Sequence, residues 1–273
     1  MKRVMIFGVA LLALAAGAAF ARIGDVVASF PAPANNPIAL AYRGMTSPYY
    51  IYVYCHTSPY RIYKLDAING SVYSSFISPQ GPYTRGLTYS YGGGGGLPAG
   101  NYLWMGNYST DRIYRCNPEN GSVYASFPAN HDVSGGLAVM ARDAGYQPTF
   151  MLSSDTSPRY VFRQSLTSGS VYSSFAPSQP LYDLAWEWPL RLLWGGNTGN
   201  GVYAYTTTGR FIESFTMPVN NVIGLTYRSI TFSSYLYVAT TTGSHRIWVV
   251  HCPTMRWAAV HPASVGRVKA VFR

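Results

Sequence analysis

The chain has 273 residues, which suits one large all-β domain or two small ones and is ample for a buried core. Charged residues make up only 11%, yet Lys and Arg outnumber Asp and Glu by 20 to 10, and 15% of residues are aromatic. The low charge and high aromatic content exclude a disordered chain. The basic residues are scattered rather than in runs of five or more, which argues against nucleic-acid binding.

Residues 1–21 read as a secretory signal. Lys2 and Arg3 precede an apolar run from Val4 to Leu14, then small residues end in Ala19-Phe20-Ala21, so cleavage is expected before Arg22. The run is shorter than the roughly 20 residues of a transmembrane anchor, and no Cys follows it for lipid attachment. The expected location is therefore extracellular, periplasmic or on the cell surface, with no membrane anchor. Without Lys2 and Arg3, 18 basic residues face 10 acidic ones, a net +8.

From Gly24 onward the sequence repeats. Gly24-Asp25-Val26-Val27-Ala28-Ser29-Phe30 recurs as GSVYSSF at Gly70, GSVYASF at Gly121, GSVYSSF at Gly169 and GRFIESF at Gly209, at intervals of 46, 51, 48 and 40 residues. After each copy comes a small-Leu-small segment: Ala39-Leu40-Ala41-Tyr42, Gly86-Leu87-Thr88-Tyr89, Gly136-Leu137-Ala138-Val139, Asp183-Leu184-Ala185-Trp186 and Gly224-Leu225-Thr226-Tyr227. An aromatic third segment follows, such as Ile51-Tyr52-Val53-Tyr54 or Leu103-Trp104-Met105, with the weaker Phe150-Met151-Leu152 in the third repeat. A fourth has the form Arg61-Ile62-Tyr63, Arg112-Ile113-Tyr114 or Arg246-Ile247-Trp248.

Four short strands rich in Val, Ile, Tyr and Phe, repeated every 40 to 50 residues, are the pattern of a propeller blade. The expected fold is all-β: a single five-bladed β-propeller over residues 22–252, four antiparallel strands per blade. The N-terminal strand pairs with His245 to His251 to close the ring and remove an exposed edge. Met255 to His261 is the competing partner, and residues 253–273 form a basic tail with no acid. Asn69-Gly70 and Asn120-Gly121 predict hairpin turns with positive φ at both residues. Gly92 to Gly96 reads as a flexible insertion in the second blade. Three Cys allow one bridge at most, with Cys55 and Cys252 the favoured pair and Cys116 a buried thiol. Without CxxC spacing no zinc site is expected, and no cofactor.

Leu236-Tyr237-Val238-Ala239-Thr240, Leu103-Trp104-Met105-Gly106-Asn107 and Leu193-Trp194-Gly195-Gly196-Asn197, each followed by an Arg-Ile-Tyr-like strand and a turn ending in Gly, resemble the YVTN and NHL-like β-propeller repeats of secreted bacterial proteins. The resemblance spans residues 24–252. It implies a rigid ring used for protein, glycan or surface interactions, with enzymes in the minority.

Among the acids, Asp183 stands where other repeats carry Gly or Ala. It reads either as a channel-facing acid or cation ligand, or as a carboxylate capping backbone amides. Glu187 lies four residues on, about 13 Å along a strand and beyond the usual glycosidase separation of about 5 to 9.5 Å. His131-Asp132 reads as an acid–base pair or a solvated turn. Tyr73, Tyr124 and Tyr172 share one outer-strand position, and with Trp186 and Trp188 they are the binding candidates. The sequence thus predicts a non-enzymatic binding or scaffold module for protein or polysaccharide at the cell surface. The alternatives are a carbohydrate- or lactone-active enzyme and a self-assembling homo-oligomeric subunit.

Overall fold

The computed structural model describes residues 23–44, 47–141, 148–188, 190–230, 233–243 and 245–252. The expected signal segment, the tail and the competing strand Met255 to His261 lie outside these residues. The first strand is β1 (Val26–Pro31). Blade one holds β2 (Pro37–Arg43), β3 (Tyr50–Cys55), β4 (Arg61–Asp66) and β5 (Val72–Ile77). Blade two holds β6 (Thr84–Tyr91), β7 (Asn101–Asn107), β8 (Arg112–Cys116) and β9 (Val123–Pro128). Blade three holds β10 (Leu137–Ala141), β11 (Pro148–Thr156), β12 (Arg159–Gln164) and β13 (Val171–Phe175). Blade four holds β14 (Asp183–Glu187), β15 (Leu192–Gly196), β16 (Gly201–Thr206) and β17 (Phe211–Thr216). Blade five holds β18 (Val222–Ile230), β19 (Ser233–Thr240) and β20 (Arg246–His251).

Each blade is a four-stranded antiparallel sheet, and the fifth is completed by β1 in the order β1-β20-β19-β18. Phe30 pairs with Ile247 and Pro31 with Arg246, so the two ends of the ring lie in one sheet. The inner strands β2, β6, β10, β14 and β18 each contact those of the two neighbouring blades. This is a five-bladed β-propeller.

The repeat has a physical cause at the blade interfaces. Each motif glycine takes positive φ and faces the motif phenylalanine of the preceding blade: Gly24 on Phe215, Gly70 on Phe30, Gly121 on Phe76, Gly169 on Phe127 and Gly209 on Phe175. A Cβ at Gly121 would lie 2.6 Å from the Phe76 ring, so only glycine admits the ring. The cycle runs once around the propeller, coupling every blade to the last. A second pair ties the outer two strands together. In three blades the Arg of the Arg-Ile segment forks onto the Ser of Ser-Phe: Arg61 on Ser75, Arg112 on Ser126 and Arg246 on Ser29. Three of the 20 basic residues are therefore structural.

Three expectations need correction. Of the Asn-Gly residues, Gly70 and Gly121 alone have positive φ, at +75° and +77°. The Asp66 carboxylate accepts the Ile68 and Asn69 amides and holds the preceding turn in ordinary φ, leaving only the closing glycine left-handed. The Gly92 to Gly96 segment is anchored rather than free, because Leu97 beside it is buried with Trp104 and Leu166. The Cys55–Cys252 bridge does not form: Cys55, Cys116 and Cys252 are all free and buried. Cys55 packs between blades five and one and Cys252 between blades four and five, so the fifth sheet stands between them.

Candidate functional site

Local sequence places one acid on the propeller axis. The residue before the inner leucine is Ala39, Gly86, Gly136 or Gly224 in four blades and Asp183 in the fourth, where neighbouring backbones leave little room. Asp183 is fully buried. Its Oδ2 accepts the Leu225 amide at 2.7 Å and faces the Leu40 amide at 3.4 Å, while Oδ1 accepts the Leu184 amide at 2.9 Å. The Leu137 amide also bonds to it. These four leucines occupy the same repeat position, so one carboxylate gathers amides from four blades. Burial pushes the Asp183 carboxyl well above its usual range, and the four amides pull against that shift. Of the two readings of Asp183, the capping one describes these contacts.

The other acids and bases expected to act with it lie elsewhere. Glu187 is buried between blades four and five, where its Oε2 accepts the Trp194 indole N–H at 2.6 Å. Cys252 Sγ lies 3.9 Å from the same oxygen, and burial together with that charge drives the thiol pKa up. Tyr227 Oη donates to Ser234 Oγ at 2.7 Å and lies 3.4 Å from Glu187 Oε1. Asp132 is exposed on the rim of blade three, its pKa raised by burial and by the charges of Asp155 and Asp111.

His131 reveals a contact that sequence reasoning missed. Its Nδ1 is 2.8 Å from the Asp132 carbonyl, which can only accept, so Nδ1 carries the hydrogen. The bare Nε2 then accepts Ser153 Oγ at 2.7 Å, and Gln164 Nε2 donates to the same Oγ at 2.9 Å. The ring stacks on Phe162 with centroids 4.0 Å apart, and burial lowers its pKa, keeping it neutral. A Ser–His pair of this tautomer has the hydrogen bond of a nucleophile and base. Ser153, however, is 0% exposed, so no substrate carbonyl reaches its oxygen. Asp183 is thus held on the axis and Glu187 between blades, while His131 and Asp132, joined through the Asp132 carbonyl, lie at the rim. Among the described residues no group of three His, Cys, Asp or Glu is arranged to hold a metal.

The aromatic candidates divide into two places. Tyr73, Tyr124 and Tyr172 face outward, 68%, 52% and 60% exposed. Each leans on an aromatic ring of the second strand, Tyr50, Tyr102 and Phe150 respectively, over which Lys64, Arg115 and Arg163 lie at 4.2, 4.8 and 3.7 Å. Trp186 and Trp188 instead line a cup of about 80 Å³ at the mouth reached by the C-terminal ends of the inner strands. Tyr42, Tyr89, Val139 and Tyr227 complete its wall. These four and Trp186 occupy one repeat position, so the signal that would have found them is their equivalence to Trp186.

The indole Nε1 atoms of Trp186 and Trp188 and the Tyr89 hydroxyl are buried there without a hydrogen-bond partner among the described residues. Behind Asp183, at the opposite mouth, lies a second cavity of about 470 Å³ lined by Asn36, Ile38, Arg85, Tyr108, Ile223 and neighbours.

No protein-family model matches the sequence, and no curated protein does. Solved structures do share the fold. The glutaminyl cyclase of Myxococcus xanthus superposes with a TM-score of 0.58 over 84% of this chain and 96% of that one, at 10% identity. BBS1N, from its complex with ARL6DN, gives 0.47 over 82% and 80%, at 15% identity. At 10% identity the likeness to the cyclase is one of architecture.

Proposed function

We propose that the protein is a secreted, non-enzymatic β-propeller of the YVTN/NHL-like kind that binds polysaccharide, holding one terminal sugar in the aromatic cup. The observation that carries this reading is the aromatic wall of the cup, in which Trp186 and Trp188 stand with Tyr42, Tyr89 and Tyr227. Aromatic faces stack on the C–H face of a pyranose. At about 10–15 Å³ per water site, the cup of about 80 Å³ takes roughly five to eight small groups, the exposed part of one sugar unit. A cationic guest fits less well, because Arg228 lies beside the cup, its Cζ 5.9 Å from the Tyr42 ring centre. The N-terminal sequence pattern supports secretion, and the burial of Asp183, Glu187 and Ser153 supports binding over turnover.

A glycan array with the purified protein tests this. Wild type binds a defined set of glycans, and Trp186→Ala and Trp188→Ala, which remove the stacking ring, each weaken binding about tenfold, the equivalent of about 1.4 kcal/mol. Binding to no glycan, or undiminished binding by both variants, contradicts the proposal. The outward Tyr73, Tyr124 and Tyr172 favour a second reading, self-assembly through the outer strands, for which native mass above one chain is the test.

A further inference from the structure

The cavity on the other side of Asp183 has the size and make-up of a small-molecule site, and it stands apart from the sugar cup. Its volume of about 470 Å³ falls within the roughly 300–1,000 Å³ common for such sites. Its apolar floor comes from irregularities in the inner strands. In β2, pairing with β3 runs through Pro37 and Ala39 and skips Ile38, and in β18 it skips Ile223 in the same way. An extra residue in a bulge is re-aimed, and here both isoleucines line the cavity. Tyr108 and Tyr182 add aromatic wall.

Arg85 is the one charged residue among the described lining of this cavity. Its guanidinium lies 4.8 Å over the Tyr108 ring, which sets the plane of the fork. Its hydrogen bond to the Thr84 carbonyl is long, 3.5 Å. Both ion pairs among the described residues belong to Glu119, so Arg85 has no carboxylate in either. Beside it, His56 Nε2 is 3.0 Å from the Pro82 carbonyl and therefore carries the hydrogen. Burial and the Arg85 charge lower the His56 pKa, leaving a neutral ring. The acids of this face gather where blades two and three meet, the charges of Asp155 and Asp111 raising the Asp132 pKa. A half-buried, pre-oriented guanidinium with no anion opposite it, above an aliphatic floor, is half of a recognition pair.

We propose that this mouth binds a small organic acid, its carboxylate on the Arg85 fork and its apolar body over Ile38 and Ile223. Each part of the cavity then has a partner: the guanidinium meets two oxygens, the isoleucines meet hydrocarbon, and the neutral rim of Asn36, Asn221 and Thr241 meets any polar substituent.

Titration calorimetry with hexanoate and benzoate against hexanamide and benzamide tests the proposal on the full chain. The acids bind saturably and the amides bind at least tenfold more weakly, as expected for loss of a charge-assisted pair. Arg85→Gln abolishes the preference for acid over amide. Arg85→Lys keeps the charge but not the fork, and so keeps the preference at several-fold reduced affinity. Circular dichroism identifies any variant that fails to fold, in which case the acid-to-amide ratio on wild type decides. Equal binding of acid and amide, no saturable binding of either acid, or an unchanged preference in folded Arg85→Gln overturns it.

Discussion

Replacing Asp183 with Ala removes the acceptor shared by the Leu40, Leu137, Leu184 and Leu225 amides. Two of those bonds are short, 2.7 Å to Leu225 and 2.9 Å to Leu184. Left unpaired in the core, these two amides cost about 1–3 kcal/mol each, or about 2–6 kcal/mol together. Relief of the carboxyl's own desolvation offsets part of this, so the expected net loss is about 2–5 kcal/mol. For a domain of this size that lowers Tm by on the order of 10 °C. Urea unfolding followed by tryptophan fluorescence measures it directly. Asp183→Asn keeps one acceptor oxygen and sets an NH2 against amide donors, so it falls between Ala and wild type. The pH dependence adds a sign. Burial raises the folded-state pKa, so the Asp183 contribution is fully present below about 3.9 and declines as pH rises toward the folded value, a decline absent in Asp183→Ala. A loss under about 0.5 kcal/mol in the Ala variant refutes the axial role.

Gly121→Ala loses about 2–4 kcal/mol in the same assay, because the left-handed φ of +77° strains alanine and its Cβ overlaps Phe76. The three thiols stay unreactive toward a disulfide reagent until the chain unfolds, since burial pushes Cys55 and Cys116 up to about 12 and Cys252 higher still. Neutral His56 and His131, both lowered by burial, make stability fall as pH drops below about 6.5, and replacing both with Gln flattens that loss in pH-dependent melting curves.

The propeller was legible because its duplicated residues are the ones that build it. The Gly and Phe of the repeat meet across blade interfaces, and the Arg and Ser of neighbouring motifs meet within blades. The ring closure by β1 followed from the match of Gly24 to Phe30 with the other outer strands. What escaped depends on register and on contacts far apart in sequence. The two isoleucines of the wide mouth became visible only as residues skipped in strand pairing, and Leu97 only as a side chain folded back into the core. The separation of Cys55 from Cys252 needed the fifth sheet placed between them. The cup lay between these cases: Trp186 and Trp188 stood out by size, while Tyr42, Tyr89 and Tyr227 looked like ordinary strand residues.

Native-state hydrogen exchange of residues 26–31 measures the ring closure itself. Paired with β20, this segment exchanges as slowly as residues 246–251 and through the same cooperative opening. Exchange of 26–31 at the rate of a free peptide, while 246–251 stay protected, contradicts a ring sealed by its own first strand.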